Sequence, residues 1–216
     1  DRTGISKGTF YNYFSSKHEC VSAILEQARY DATLTRAEIM IGKDPRDVDV
    51  LVEQITVLST INQSRGLSLV FEEILHSGDI ELKKLVLKYR VLELQWLASR
   101  LIEVFGDEIE EHAFEGAVLF YGIMQNLSFT AKLIHQNTLE IKAIADATMK
   151  YLKVIVQMMI VEKTTVLDTQ NLNVFIGSFS KAELSVGECI EQFEAFQRQP
   201  GFTKSQQDVT DALMDE

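Results

Sequence analysis

Residues 3–14 read Thr3-Gly4-Ile5-Ser6-Lys7-Gly8-Thr9-Phe10-Tyr11-Asn12-Tyr13-Phe14, and they are followed by Ser15-Ser16-Lys17-His18-Glu19. Gly4 can adopt a positive φ at little cost, which suits a tight turn. Ser6 is a natural helix N-cap. Phe10 and Phe14 are four residues apart, so both lie on one face of a helix. The stretch therefore predicts a turn followed by a short helix with a buried aromatic face.

The opposite face of this short helix carries side chains that can bind phosphates and base edges. They are Lys7, Thr9, Tyr11, Asn12 and Tyr13. A helix that is buried on one side and rich in hydrogen-bond donors on the other is what recognition in a DNA major groove requires.

The pattern Gly-Ile-Ser-Lys-Gly-Thr-Phe-Tyr-Asn-Tyr-Phe-x-Ser-Lys-x-Glu, residues 4–19, resembles the second half of the helix-turn-helix of the TetR family of bacterial transcriptional regulators. The resemblance is most specific at 4–14 and 17–19, and beyond about residue 30 only the helical layout is similar. It implies an all-α protein with a DNA-binding head and a larger helical domain that binds an effector and dimerises. It also implies that the first part of the head is missing from this sequence, so we expect the chain as given to bind DNA poorly.

The resemblance assigns DNA contacts to particular residues of this sequence. The implied DNA-binding residues are Ser6, Lys7, Thr9, Tyr11, Asn12, Tyr13 and Lys17. Of these, Thr9 and Asn12 are best placed to read base edges, and the lysines and tyrosines mainly hold phosphates. Two such heads in a dimer would read a palindromic operator in double-stranded DNA.

The charge distribution is compatible with DNA binding at the N-terminal end only. The 216-residue chain has a net charge of −11, from 21 basic and 32 acidic residues. Residues 1–30 contain four basic and three acidic side chains, so all of the acidic excess lies in the remainder. Because an acidic body repels phosphate, nucleic acid can approach productively only at the head.

Helical spacing of apolar residues divides the chain into two parts. Residues 1–40 form the second half of the head and a long helix, which a Ser16–Glu19 capping box opens. Residues 41–216 form a helical effector-binding and dimerisation domain, which includes a helix over Ile80–Phe105. Within it, 164–216 is a helical extension that exceeds what the resembled family needs.

Two long helices are predicted at about 109–135 and 139–162. Each is apolar on two faces, and both faces must be buried. A thick monomeric core would explain this pattern. The resemblance favours a homodimer instead, because the family typically pairs two such helices per subunit in a four-helix bundle.

An effector pocket is the second prediction for the body. The candidate lining residues are Phe71, Tyr89, Trp96, Phe120, Tyr121, Met124, Gln125 and Phe129. A plain hydrophobic core would show the same spacing. Aromatic side chains and methionine with few charges suggest an apolar or amphipathic organic effector.

No pattern indicates catalysis, a metal site or a cofactor. The four histidines and two cysteines (Cys20 and Cys189) show no ligand spacing, and no nucleophile elbow, P-loop or dinucleotide-binding glycine pattern occurs. No apolar run reaches the roughly 18 residues of a membrane span. The sequence therefore predicts a cytoplasmic, effector-responsive regulator, most often a repressor in this family. One alternative is a helical dimer that binds proteins or ligands without binding DNA, and another is an all-α storage protein or small enzyme for hydrophobic ligands.

Overall fold

The computed structural model describes residues 14–134 and 140–167, and all regular structure in these ranges is helical. The six α-helices are α1 (Lys17–Met40), α2 (Val48–Ser64), α3 (Leu67–His76), α4 (Ile80–Phe105), α5 (Glu110–Ile134) and α6 (Ile141–Glu162), and a 3₁₀ turn at Asp107–Ile109 joins α4 to α5. The prediction of an all-α protein is confirmed for this part of the chain.

The helix ends follow from capping residues in the sequence. Ser16 accepts a hydrogen bond from the Glu19 amide at 3.1 Å, as the capping box predicts. Asp47 and Asp79 cap α2 and α4 in the same way. Gly106 ends α4 with φ +94°, a conformation that favours glycine. These local signals explain why the observed bounds of α4 coincide with the predicted ones.

The main core lies between α2, α4, α5 and α6. Phe120 and Leu152 are fully buried there, together with Leu51 and Leu97 from the other two helices. Helices α5 and α6 approach closely at Gly116, where a Cβ would lie 3.5 Å from the Val156 side chain. A thick core is thus present, and it uses one face each of α5 and α6.

A second apolar cluster fixes the N-terminal half of α1 to α3 and α4. Its buried members are Val21, Leu25, Ile74 and Leu82. Phe71 and Tyr89 pack against it. Because α1 directly follows the predicted recognition helix, this cluster ties the start of α1 to the body.

One stretch of the described residues, Asp107–Ile134, is long and apolar enough to cross a membrane by length and composition alone, with a mean hydropathy of 1.2. This differs from the expectation that no segment would reach that length. The stretch contains Ala113, Ala117, Phe120 and Met124, which are buried in the main core. These residues belong to the main core, but only 17% of the apolar window that meets this criterion is buried within the protein.

Candidate functional site

The predicted recognition residues Ser6, Lys7, Thr9, Tyr11, Asn12 and Tyr13 lie outside the described residues. Lys17 is described and is exposed in the first turn of α1. Beside it, the Glu19 carboxylate accepts hydrogen bonds from the Ser15 hydroxyl and the Ser15 amide, both at 2.6 Å. These two bonds lower the pKa of Glu19. These two bonds therefore hold the turn before α1, and the Lys17 side chain is exposed beside it.

The first turn of α1 also contacts the first turn of α4. His18 Nε2 lies 3.1 Å from Asp79 Oδ1. Asp79 is the N-cap of α4, and the hydrogen bond that it accepts from the Leu82 amide lowers its pKa, with a further contribution from His18. The beginning of α1 is thus joined to the body by an exposed polar contact.

A second polar contact lies further along α1. The Tyr89 hydroxyl of α4 donates to Glu26 at 3.1 Å. Burial raises the pKa of Tyr89 to about 12, and the negative charge of Glu26 adds to this effect. Tyr89 was predicted to line an effector pocket, and its hydroxyl group in fact faces α1.

The strongest polar contact of α1 is buried near its C-terminal end. We call the set Arg36, Gln54, Glu93, Trp96 and Tyr121 the Arg36 junction. Nη1 of Arg36 donates to Glu93 Oε2 at 3.0 Å, and Nη2 pairs with Oε1 of the same carboxylate. Nε donates to the backbone carbonyl of Gln54 at 3.0 Å. The guanidinium carbon lies 3.4 Å from the centre of the Trp96 ring.

Tyr121 brings α5 into the junction. Its hydroxyl donates to Glu93 Oε1 at 2.6 Å. Burial raises the pKa of Tyr121 well above 10, and the charge of Glu93 raises it further. The carboxylate of Glu93 therefore joins α1 to α5 through two different donors.

Gln54 extends the junction to a second buried arginine. Its side-chain amide donates to the Arg36 carbonyl at 3.0 Å and accepts from Arg100 Nε at 3.1 Å. Arg100 Nη2 donates to the Pro45 carbonyl at 2.9 Å, in the loop between α1 and α2. The C-terminal end of α1 is thus held by helices α2, α4 and α5 together.

The sequence reasoning missed Arg36, Glu93, Gln54 and Arg100. A signal was available for Arg36, since it continues the buried stripe of Val21, Leu25, Ala28 and Ala32 along α1. A charge on an apolar stripe must be paired when it is buried. Its partner, 57 residues away in the sequence, could be found only from the fold.

The eight predicted pocket residues occupy several different places. Phe120 and Met124 are buried in the main core, and Trp96 and Tyr121 belong to the Arg36 junction. Phe71 and Tyr89 pack on the second apolar cluster. Gln125 and Phe129 lie on the outer face of α5, where Phe129 is 62% exposed. The structure therefore brings Trp96 and Tyr121 together through Glu93 and Arg36, and it places Gln125 and Phe129 at the surface.

The outer faces of α5 and α6 carry large exposed apolar side chains. We call this surface the outer face. Its most exposed members are Phe129, Leu133, Ile134, Tyr151, Val154, Met158 and Val161. These are the two helices for which the apolar pattern required burial on more than one side.

The segment that follows α6 is held against α5. His112 Nδ1 lies 2.7 Å from the Thr165 hydroxyl. The Glu115 carboxylate accepts from the backbone amides of Val166 and Leu167 at 2.7 and 2.9 Å. The path of the chain beyond α6 is therefore fixed through Leu167.

Within the described ranges, His, Cys, Asp and Glu side chains form no group of three that could hold a metal ion. Comparison with protein-family models, with curated proteins and with solved structures gave no match.

Proposed function

We propose that this chain is a cytoplasmic, homodimeric transcriptional repressor that binds palindromic operator DNA and is controlled by a small organic effector. The observation that carries the proposal is the position of α1. This 24-residue helix directly follows the donor-rich segment 6–14, and polar or apolar contacts join it to the body from His18 to Arg36. Such a helix suits a connection between a DNA-binding head and a regulatory domain.

The contacts along α1 differ in strength, and the difference supports control of the head. Near the head, the His18–Asp79 contact is exposed to solvent, and exposed pairs contribute little to stability. At the far end, the Arg36 junction is buried and makes many hydrogen bonds. The polar contact at the start of α1 is therefore weaker than the junction at its end, and a movement of the start would also have to repack the second apolar cluster.

The Arg36 junction is where an effector would act with most influence on α1. Trp96 and Tyr121 are both predicted pocket residues; Trp96 contacts the guanidinium group of Arg36 directly, and Tyr121 binds Glu93, the counter-ion of Arg36. An effector changes DNA binding only to the extent that it binds one arrangement of α1 more tightly than another. An apolar or amphipathic compound beside Trp96 would meet this condition by changing the surroundings of the guanidinium group.

The outer face supports the homodimer part of the proposal. Several large exposed apolar side chains on two adjacent long helices are typical of a protein–protein interface. A second copy with the same surface would bury it, and it would also provide the second head that a palindromic operator requires.

The test is selection of random or genomic DNA fragments by the full-length protein, followed by a salt titration of the enriched sequence. Recovery of a palindrome with steeply salt-dependent binding is the expected result. A folded dimer that enriches no sequence would overturn the proposal and favour a module that binds proteins or ligands without binding DNA.

A further inference from the structure

Helix α6 presents a continuous outward stripe whose residues change in size along the helix. The stripe consists of Ala143, Ala147, Tyr151, Val154, Met158 and Val161. Its spacings of three and four residues keep it on one side of the helix, opposite the buried residues Thr148, Leu152 and Val156. The first two members are small, and the last three are large and at least half exposed. One end of the stripe is therefore recessed and the other end protrudes.

The recessed end opens into an apolar groove between α5 and α6. The groove has a volume of about 290 Å³. It is lined by Leu127, Thr130 and Ala131 from α5 and by Ala143, Ile144 and Ala147 from α6. Water in such a groove finds almost no hydrogen-bond partner, so filling the groove with apolar side chains is favourable.

We propose that two copies of α6 pair in antiparallel fashion about a two-fold axis near the middle of the helix, so that the protruding end of each copy fills the groove of the other. In this register Ala147 faces the partner subunit's Met158, Ala143 faces the partner subunit's Val161, and Tyr151 faces the partner subunit's Val154. Two of the pairs are centred between Leu152 and Lys153 and the Ala143–Val161 pair is centred on Leu152, so all three centres lie within about one residue of the midpoint of α6. The inference rests on the homodimer of the proposed function and specifies how its subunits meet.

A second copy is the occupant that this geometry selects. A two-fold axis brings each surface against itself with its direction reversed. A stripe with small residues at one end and large residues at the other is complementary to its own copy when the two helices run antiparallel. In a parallel pairing of two α6 helices, large residues would meet large residues, and the stripes would not be complementary. In the antiparallel register the large residues of one subunit also fill the apolar groove of the other. One contact therefore buries both the exposed side chains and the groove.

Cysteine cross-linking tests the register in the full-length protein. In a background with Cys20→Ser and Cys189→Ser, the double variant Ala147→Cys/Met158→Cys should form a covalent dimer under mild oxidation. Each single variant should cross-link poorly, because residues 147 of the two copies would be about 16 Å apart along the helix. Efficient cross-linking of Ala147→Cys alone would overturn the antiparallel register, and so would a dimer whose double variant does not cross-link.

A size exchange provides a second readout that does not depend on oxidation. Ala147→Met and Met158→Ala should each raise the dissociation constant of the dimer by about tenfold, and the double variant should recover most of the loss. The matched control is Ala37→Met, at an exposed position of α1, which should leave dimerisation unchanged. If the effects of Ala147→Met and Met158→Ala on the dissociation constant simply add up in the double variant, the proposed register is wrong. If the unmodified protein is monomeric at all concentrations, the homodimer of the proposed function fails as well.

Discussion

The guanidinium carbon of Arg36 lies 3.4 Å from the centre of the Trp96 ring, while the nitrogen atoms of the same group bind Glu93. Arg36 belongs to the helix that leads to the head, and the other two residues belong to α4. A buried arginine paired on one side and stacked on the other defines a single position for the end of α1. The junction therefore orients α1 relative to the body.

Removal of one partner of the junction should destabilise the protein strongly. Arg36→Met leaves the buried Glu93 carboxylate without its counter-ion and should lower the free energy of unfolding by about 3–5 kcal/mol. The double variant Arg36→Met/Glu93→Leu removes both charges and should recover most of that loss. Urea unfolding of the single and double variants measures the difference. A double variant as unstable as the single one would show that the charge pair is not the main contribution.

Alkaline titration should separate two tyrosines from the others. The chain has six tyrosines, and the pKa of Tyr89 is raised to about 12 while that of Tyr121 is raised well above 10. Because these phenols hold their protons more tightly in the folded protein than in the unfolded chain, stability should be intact below pH 10 and should fall as the pH rises above it. Absorbance of the tyrosinate near 295 nm follows the titration, and Tyr89→Phe should remove one late-titrating group. Six groups that titrate together near pH 10 in the folded protein would contradict this prediction.

Two substitutions in the head should affect DNA binding differently in the full-length protein. Lys17→Ala removes a proposed phosphate contact, so it should weaken binding to all DNA sequences alike and reduce the slope of log affinity against log salt concentration by about one. Asn12→Ala removes a proposed base contact and should relax sequence specificity. Affinity for the operator and for unrelated DNA, measured at several salt concentrations, distinguishes the two effects. If both variants weakened binding to the operator and to unrelated DNA by the same factor, the assignment of Lys17 to phosphates and of Asn12 to bases would be wrong.

The carboxylate of Glu115 should protect two backbone amides from exchange. Glu115→Ala removes the acceptor for the amides of Val166 and Leu167, which should exchange at least about tenfold faster with solvent deuterium. Glu111→Ala, which changes an exposed carboxylate one turn earlier on α5, is the matched control and should have little effect. Unchanged protection in Glu115→Ala would show that another group holds the segment after α6.

The sequence by itself determined the local features of this protein. The Ser16 cap, the Asp79 cap and Gly106 set helix ends because capping and positive φ depend on residues close in the chain. Apolar periodicity likewise predicted the long helices, and it predicted that α5 and α6 carry apolar residues on more than one face. Helix α2 continues through the polar residues Gln63 and Ser64, because polar residues on an exposed face do not end a helix.

The tertiary structure alone decided which of these residues meet. The Arg36–Glu93 pair joins positions 57 residues apart, and nothing in the local sequence of either residue specifies the other. In the same way, periodicity places Phe120 and Phe129 on opposite faces of α5 but does not say which face is inside, and the fold buries Phe120 fully while Phe129 is 62% exposed. Periodicity fixes the side of a helix on which a residue lies, whereas the packing of several helices determines which sides become core, junction or surface.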